Sequence, residues 1–131
     1  LGSGARVVLG FRDRAHAAGA ALLPGAAVAT DDGSVGHRGL VTELLEAALE
    51  ADGGAEVYAC GPPPMLEAVR ALCERRGAPA QLALESGMAC GFGACFGCVV
   101  ATRDGYVRLC LDGPVLDAAR LDTALHPGAG D

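Results

Sequence analysis

The sequence has no tryptophan and no lysine, and two tyrosines and three phenylalanines are all its aromatic residues. Its ten basic residues are therefore all arginine; they face sixteen acidic ones, for a net charge of -6. That balance excludes nucleic acid as a partner, because phosphate recognition needs clustered cations and these arginines are scattered. Long apolar runs are missing as well. None approaches the roughly 18 residues that would span a bilayer, and the opening "LGSGARVVLGFRDR" lacks the basic-then-apolar layout of a secretory signal. No membrane partner is expected, and the chain reads as a cytoplasmic protein whose cysteines sit in a reducing compartment. With so few aromatics, a core must be built from Leu, Val and Ala, within a hydrophobic content of 51%.

What is there reads as alternating strands and helices. "ARVVLGF" (5–11) and "AAVAT" (26–30) predict buried strands, joined by "RDRAHAAGAALLPG", a short helix or an irregular link, and followed by the polar turn "DDGSVGHRG". From Leu40 the spacing turns helical. Leu40, Val41, Leu44, Leu45, Ala48 and Leu49 share one face, Glu43, Glu46 and Glu50 form a solvated one, and Gly53-Gly54 ends the helix. "AEVYAC" (55–60) predicts a third strand. "GPPPMLEAVRALCERRG" predicts a second helix, with prolines where missing N–H groups cost least and Gly77 just past its end. This alternation predicts an α/β fold with a parallel sheet. After Pro79 the character changes: "AQLALE" is a last strand or link, and a boundary near Glu85 divides residues 1–84 from 85–131. "CVVATRDGYVRLC" (98–110) predicts a hairpin about Arg103-Asp104-Gly105, and the tail from His126 is expected to be mobile.

Four of the six cysteines belong to this second part. Cys90, Cys95 and Cys98 are spaced C-x4-C-x2-C, and Cys110 follows at the far end of the hairpin. This is the ligand order of plant-type [2Fe-2S] proteins, with a shorter gap before the fourth cysteine. Gly91, Gly93 and Gly97 would allow the positive φ angles that a loop needs to turn successive thiolates inward. Such folding aims backbone N–H groups at the cluster sulfurs, and Phe92 and Phe96 would cover the site from water. A disulfide and a structural zinc site are the competing readings. A reducing compartment weighs against the first, and only one C-x2-C pair weighs against the second. Of the other cysteines, Cys73 shares a helix face with Met65, Leu66, Val69 and Leu72 and reads as core. Cys60 ends a strand just before a helix, at the edge where open α/β sheets bind ligands. His16, His37 and His126 have no metal-ligand spacing, and none reads as a general base.

The segment "VYACGPPPML" resembles the Cys-Gly-Pro-x-Pro-Met stretch of the ferredoxin-NADP reductase superfamily. Taken with "LESGMACGFGACFGCVV", "VRLCLDGPVLDAARL" and "VATDDGSVGHRGLVTELL", the sequence is similar, from about Arg6 to Leu121, to the electron-transfer subunits of type B dihydroorotate dehydrogenases. The resemblance implies a partial Rossmann-like nicotinamide-binding domain followed by a small β-hairpin [2Fe-2S] domain. It makes Cys90, Cys95, Cys98 and Cys110 the cluster ligands and places Cys60, Gly61, Pro62 and Met65 near the nicotinamide of NAD. Asp32, Gly33 and Ser34 would lie in a loop near that cofactor. It implies electron transfer in pyrimidine biosynthesis, from the FMN of a separate catalytic subunit through the cluster and FAD to NAD+. Family members begin with a flavin-binding β-barrel and a glycine-rich first turn; this sequence has neither, nor a G-x-G-x-x-G. The chain thus reads as the C-terminal part of a longer subunit, with FAD dependent on the missing domain. Related architectures serve sulfhydrogenases and other NAD(P)H-ferredoxin oxidoreductases. A zinc-stabilised binding module is the alternative of another class.

Overall fold

A computed structural model describes residues 4–125, so the tail from His126 lies outside the described residues. The chain divides into two compact units, Leu1–Gly53 and Gly54–Asp131. Among the described residues no helix is long and apolar enough to cross a membrane.

In the first unit, β1 (Val8–Phe11), β2 (Ala27–Thr30) and β3 (His37–Arg38) form a parallel sheet in that order. The link between β1 and β2 is a crossover made with a 3-10 helix, His16–Leu22. Asp13 starts it by accepting hydrogen bonds from the Ala15 and His16 N–H groups. The two-residue β3 falls inside the stretch expected to be only a turn; it is too short to leave a pattern. Helix α1 (Val41–Ala51) packs on β1 and β2, with Leu49 buried. Glu43 is not merely on a solvated face. Its carboxylate accepts the Leu40 N–H at 3.3 Å and meets His37 Nε2 at 2.6 Å, so it satisfies a free N–H at the helix start and ties the helix to β3. Thr30, fully buried, has its hydroxyl bonded both to the Val35 carbonyl and to the Val35 N–H, which fixes the turn after β2.

In the second unit, β4 (Val57–Cys60) pairs in parallel with β5 (Ala80–Ala83), and helix α2 (Pro63–Arg76) crosses between them. Pro62 and Pro63 open α2 and Gly77, at φ 65°, closes it, as the sequence predicts. Leu66, Val69, Leu72 and Cys73 turn inward to meet Val57, Ala80 and Leu82. The hairpin consists of β6 (Val99–Thr102) and β7 (Gly105–Arg108), with Thr102 opposite Gly105, so its turn is the two residues Arg103-Asp104. A single helical turn, α3 (Leu109–Asp112), follows.

The chain then does something its pattern did not announce. Strand β8 (Val115–Asp117) returns to pair antiparallel with β5, making a mixed sheet in the order β4-β5-β8. Its burial alternates, with Leu116 alone inside, but three residues with an apolar Val115 among the exposed ones leave no readable pattern in the sequence. The Leu84 N–H donates to the Pro114 carbonyl at 3.0 Å and continues that pairing up to the expected boundary near Glu85. Arg70, nearly buried on α2, joins Glu67 and Glu74. Glu67 also accepts from the Thr123 hydroxyl and the Ala124 N–H, while Glu74 meets Arg103 of the hairpin turn. These bonds tie the C-terminal segment and the hairpin to α2.

The Arg70 guanidinium, then the Ala124 N–H and the Thr123 hydroxyl, hold the Glu67 carboxyl below its ordinary 4.5. A lowered folded-state value means stability that is complete above pH 4.5 and lost as the pH falls below it. Denaturant titrations across this range should show a shallower acid loss for Glu67→Gln than for the wild type. Equal slopes would remove Glu67 from the network.

Candidate metal centre

Hairpin register brings the last two cysteines of the cluster loop together. Val99 pairs with Arg108, and the ladder extends one step further as the Leu109 N–H donates to the Cys98 carbonyl at 3.1 Å. Cys98 and Cys110 therefore flank the same end of one hairpin. The Cys110 N–H, then its thiol, donates to the Cys98 sulfur, which lowers the Cys98 pKa and raises that of Cys110.

The first two cysteines meet by a different device. The loop from Cys90 to Cys95 wraps so that the backbone N–H groups of Cys95, Phe92 and Ala94 converge on the Cys90 sulfur, with the Cys95 thiol among the donors. This nest of amides holds the Cys90 thiol down at about 6. The Gly97 N–H in turn donates to the Cys95 sulfur at 3.4 Å. Charge on Cys90 is felt at both Cys98 and Cys110, so the two pairs share one neighbourhood.

The turns that build the loop differ in part from expectation. Gly91 and Gly93 have positive φ, 72° and 83°, but Gly97 does not; the third left-handed residue is Phe96, at 58°. That conformation costs a residue with a Cβ about 1–2 kcal/mol. The Arg108 guanidinium lies 5.4 Å above the Phe96 ring and donates to the Gly93 carbonyl at 3.1 Å, which fastens both turns to β7. Gly93 is also a place of close approach: a Cβ there would stand 2.4 Å from Leu111 Cδ1. Phe92 and Phe96 stand at the surface of the loop. They are 70% and 62% exposed, and with Met88 and Leu111 they leave apolar surface around the loop.

Among the described residues no three His, Cys, Asp or Glu side chains converge as a ready site for one metal ion. The thiols meet two by two. Two cysteine pairs, with backbone donors already aimed at sulfur, are the donor set that a [2Fe-2S] cluster takes, and the residues present fit that group. Just ahead of the loop, the buried Ser86 hydroxyl has no hydrogen-bond partner, an orphan that the sequence reading did not identify.

The remaining candidates fall in two places. Cys60 is exposed at the carboxyl end of β4. Next to it, Gly61 lets Met65 fold back: a Cβ on Gly61 would lie 2.6 Å from Met65 Cε. Pro62 caps α2, so Cys60, Gly61, Pro62 and Met65 form one exposed strand-to-helix turn. Cys73 is 1% exposed, and burial raises its thiol pKa, as befits a core residue. Asp32, Gly33 and Ser34 belong to the first unit. There the Asp32 carboxylate accepts the Ser34 N–H at 2.9 Å, and the Ser34 hydroxyl and carbonyl accept from the Arg14 N–H and guanidinium. Arg108 is the residue that motif reading overlooked, although its place two positions before Cys110 made it the cation nearest in sequence to a ligand.

Residues 85–122 match the family model described as the iron-sulfur cluster binding domain of dihydroorotate dehydrogenase B. The chain is 50% identical over 99 residues to the dihydroorotate dehydrogenase B (NAD(+)) electron transfer subunit of Bacillus caldolyticus, covering 72% of this chain and 36% of that one. It is 44% identical over 122 residues to that of Geobacillus thermodenitrificans, covering 87% and 45%. The corresponding homolog of Aquifex aeolicus is 47% identical over 88 residues, covering 66% and 33%. The chain thus spans between a third and a half of the length of these relatives. Among solved structures, an NADH-dependent reduced ferredoxin-NADP oxidoreductase, studied for flavin-based electron bifurcation, superimposes with a TM-score of 0.71 at 25% identity, over 88% of this chain and 43% of that one.

Replacing Cys90, Cys95, Cys98 or Cys110 singly by serine should strip most of the iron and acid-labile sulfide from anaerobically purified protein. Cys60→Ser and Cys73→Ala should retain wild-type content. A wild-type load in any of the first four, confirmed by iron and sulfide assay, would break the ligand assignment.

Proposed function

We propose that this chain is the cluster-bearing part of an electron-transfer subunit of the type B dihydroorotate dehydrogenase kind, acting in pyrimidine biosynthesis. The carrying observation is the match of residues 85–122 to the cluster-binding family, together with the hairpin register that sets Cys98 and Cys110 at one end of the ladder. In this reading residues 85–131 are the [2Fe-2S] domain and residues 1–84 part of an NAD-binding, ferredoxin reductase-like domain. When bound, the cluster supplies a one-electron relay between the FMN of a separate dihydroorotate dehydrogenase subunit and FAD, from which NAD+ takes a hydride. FAD is assigned to a flavin-binding domain that this sequence does not include, so the chain is catalytically incomplete by itself.

The chain's own residues bind and orient. Cys90, Cys95, Cys98 and Cys110 hold the cluster, and the amides of residues 92, 94, 95 and 97 stabilise charge on sulfur. The turn formed by Cys60, Gly61, Pro62 and Met65 receives the nicotinamide, and Asp32, Gly33 and Ser34 contribute to the cofactor from their own unit. No general acid or base is required. Exposed Phe92 and Phe96 provide the apolar ground on which the catalytic subunit closes, and such coverage keeps water from the relay. The cytoplasmic reading is supported by the six free thiols, which suit a reducing compartment. The solved reductase supports a second reading, a subunit of another NAD(P)H-ferredoxin oxidoreductase, beside which the sulfhydrogenase alternative stands. The partner subunit separates these.

The test is made on the full subunit assembled with its catalytic partner. Wild-type protein should show visible absorption, equal iron and sulfide, and dihydroorotate-dependent NAD+ reduction, whereas Cys95→Ser should lose all three. Colourless protein that carries zinc and resists iron-sulfide reconstitution would replace electron transfer by a binding role. In the same assembly Cys60→Ala should slow hydride transfer to NAD+ and leave the cluster spectrum unchanged, and an unaltered rate would take Cys60 out of the nicotinamide site.

A further inference from the structure

Arg108 makes three contacts that together span the whole cluster loop. Its backbone N–H donates to Asp112 Oδ2 at 2.9 Å, which fixes the residue at the start of the turn that carries Cys110. Its guanidinium donates to the Gly93 carbonyl at 3.1 Å, between Cys90 and Cys95, and lies over the ring of Phe96, between Cys95 and Cys98. One side chain thus links the segments that carry all four thiols. Its atoms are partly buried, which reduces the screening its charge would have in open water. The nearby Asp112 carboxylate faces the backbone N–H of Arg108. The guanidinium itself meets the loop at the Gly93 carbonyl and the Phe96 ring.

We infer that Arg108 is a positioning residue for the cluster loop that also sets the reduction potential of the cluster. The inference rests on the proposed [2Fe-2S] assignment. Four thiolates and the cluster carry net negative charge, and reduction adds one more. A fixed cation on the loop favours the reduced state. The contact with Gly93 and Phe96 keeps the loop closed over the hairpin, so the same residue slows loss of the cluster. Lysine in its place retains the charge but not the planar fork that bonds Gly93 while lying flat on Phe96.

The experiment is a redox titration followed by electron paramagnetic resonance, on the full subunit with its cluster, together with the rate of bleaching by an iron chelator. Arg108→Met should shift the ratio of reduced to oxidised cluster about tenfold toward oxidised at a fixed potential, about 59 mV for one electron, and should bleach several-fold faster. Arg108→Lys should keep the wild-type potential and still bleach faster. A loaded Arg108→Met protein with the wild-type potential would overturn the inference, whatever its bleaching rate. Should that variant assemble no cluster, Arg108→Gln takes its place beside Arg108→Lys, and equal potentials in these two would overturn it equally. Wild-type protein that binds no cluster would bring down the assignment itself.

Discussion

The site depends on the register of one hairpin. Because Val99 faces Arg108, Cys98 and Cys110 flank the same end of the ladder, and the Leu109 N–H reaching the Cys98 carbonyl leaves little freedom to slip. A shift by one residue would turn alternate side chains to the opposite face and separate the two thiols. The buried Val100, Val107 and Leu109 resist that shift, since each would have to leave the core. What looks like a local ligand pair is thus enforced by apolar packing several residues away.

The electrostatics follow the same division into pairs. Cys90 is made acidic by backbone amides first, and Cys98 by the Cys110 N–H and then the Cys110 thiol. Neither device uses a formal charge. Dipoles fixed by the backbone cost little reorganisation when charge arrives, because they already point at sulfur. The cation that does lie on the loop, Arg108, approaches from the hairpin and touches carbonyl and ring. Support for the loop and compensation of its charge are shared between two segments of chain.

Much of this was legible in the residues. The helices announced themselves through apolar spacing and end signals, with Pro62, Pro63 and Gly77 bounding α2 as read. The spacing of Cys90, Cys95, Cys98 and Cys110 marked the segment that matches the cluster-binding family, and helical spacing marked Cys73 as core. Less readable features were those decided by tertiary contact. Strand β8 has three residues, one of them buried, and is a strand only because β5 offers it an edge. Phe96 takes the left-handed turn expected of Gly97, held there by an arginine that no motif singles out. Glu43 read as solvated, since pairing with His37 depends on a two-residue strand too short for any periodicity.

The return of the chain to β5 gives the cluster segment a property of its own. Leu84 leaves the sheet and Pro114 re-enters it within hydrogen-bond distance, so the excursion between them begins and ends at one point. Joining the ends of a flexible loop of roughly thirty residues costs about 3 kcal/mol, and here an existing sheet edge supplies the junction. Such a segment hangs from the sheet at a single junction, and the pair of Arg103 with Glu74 on α2 is a second tether at its far end, so the loop of cysteines is held between two fixed points.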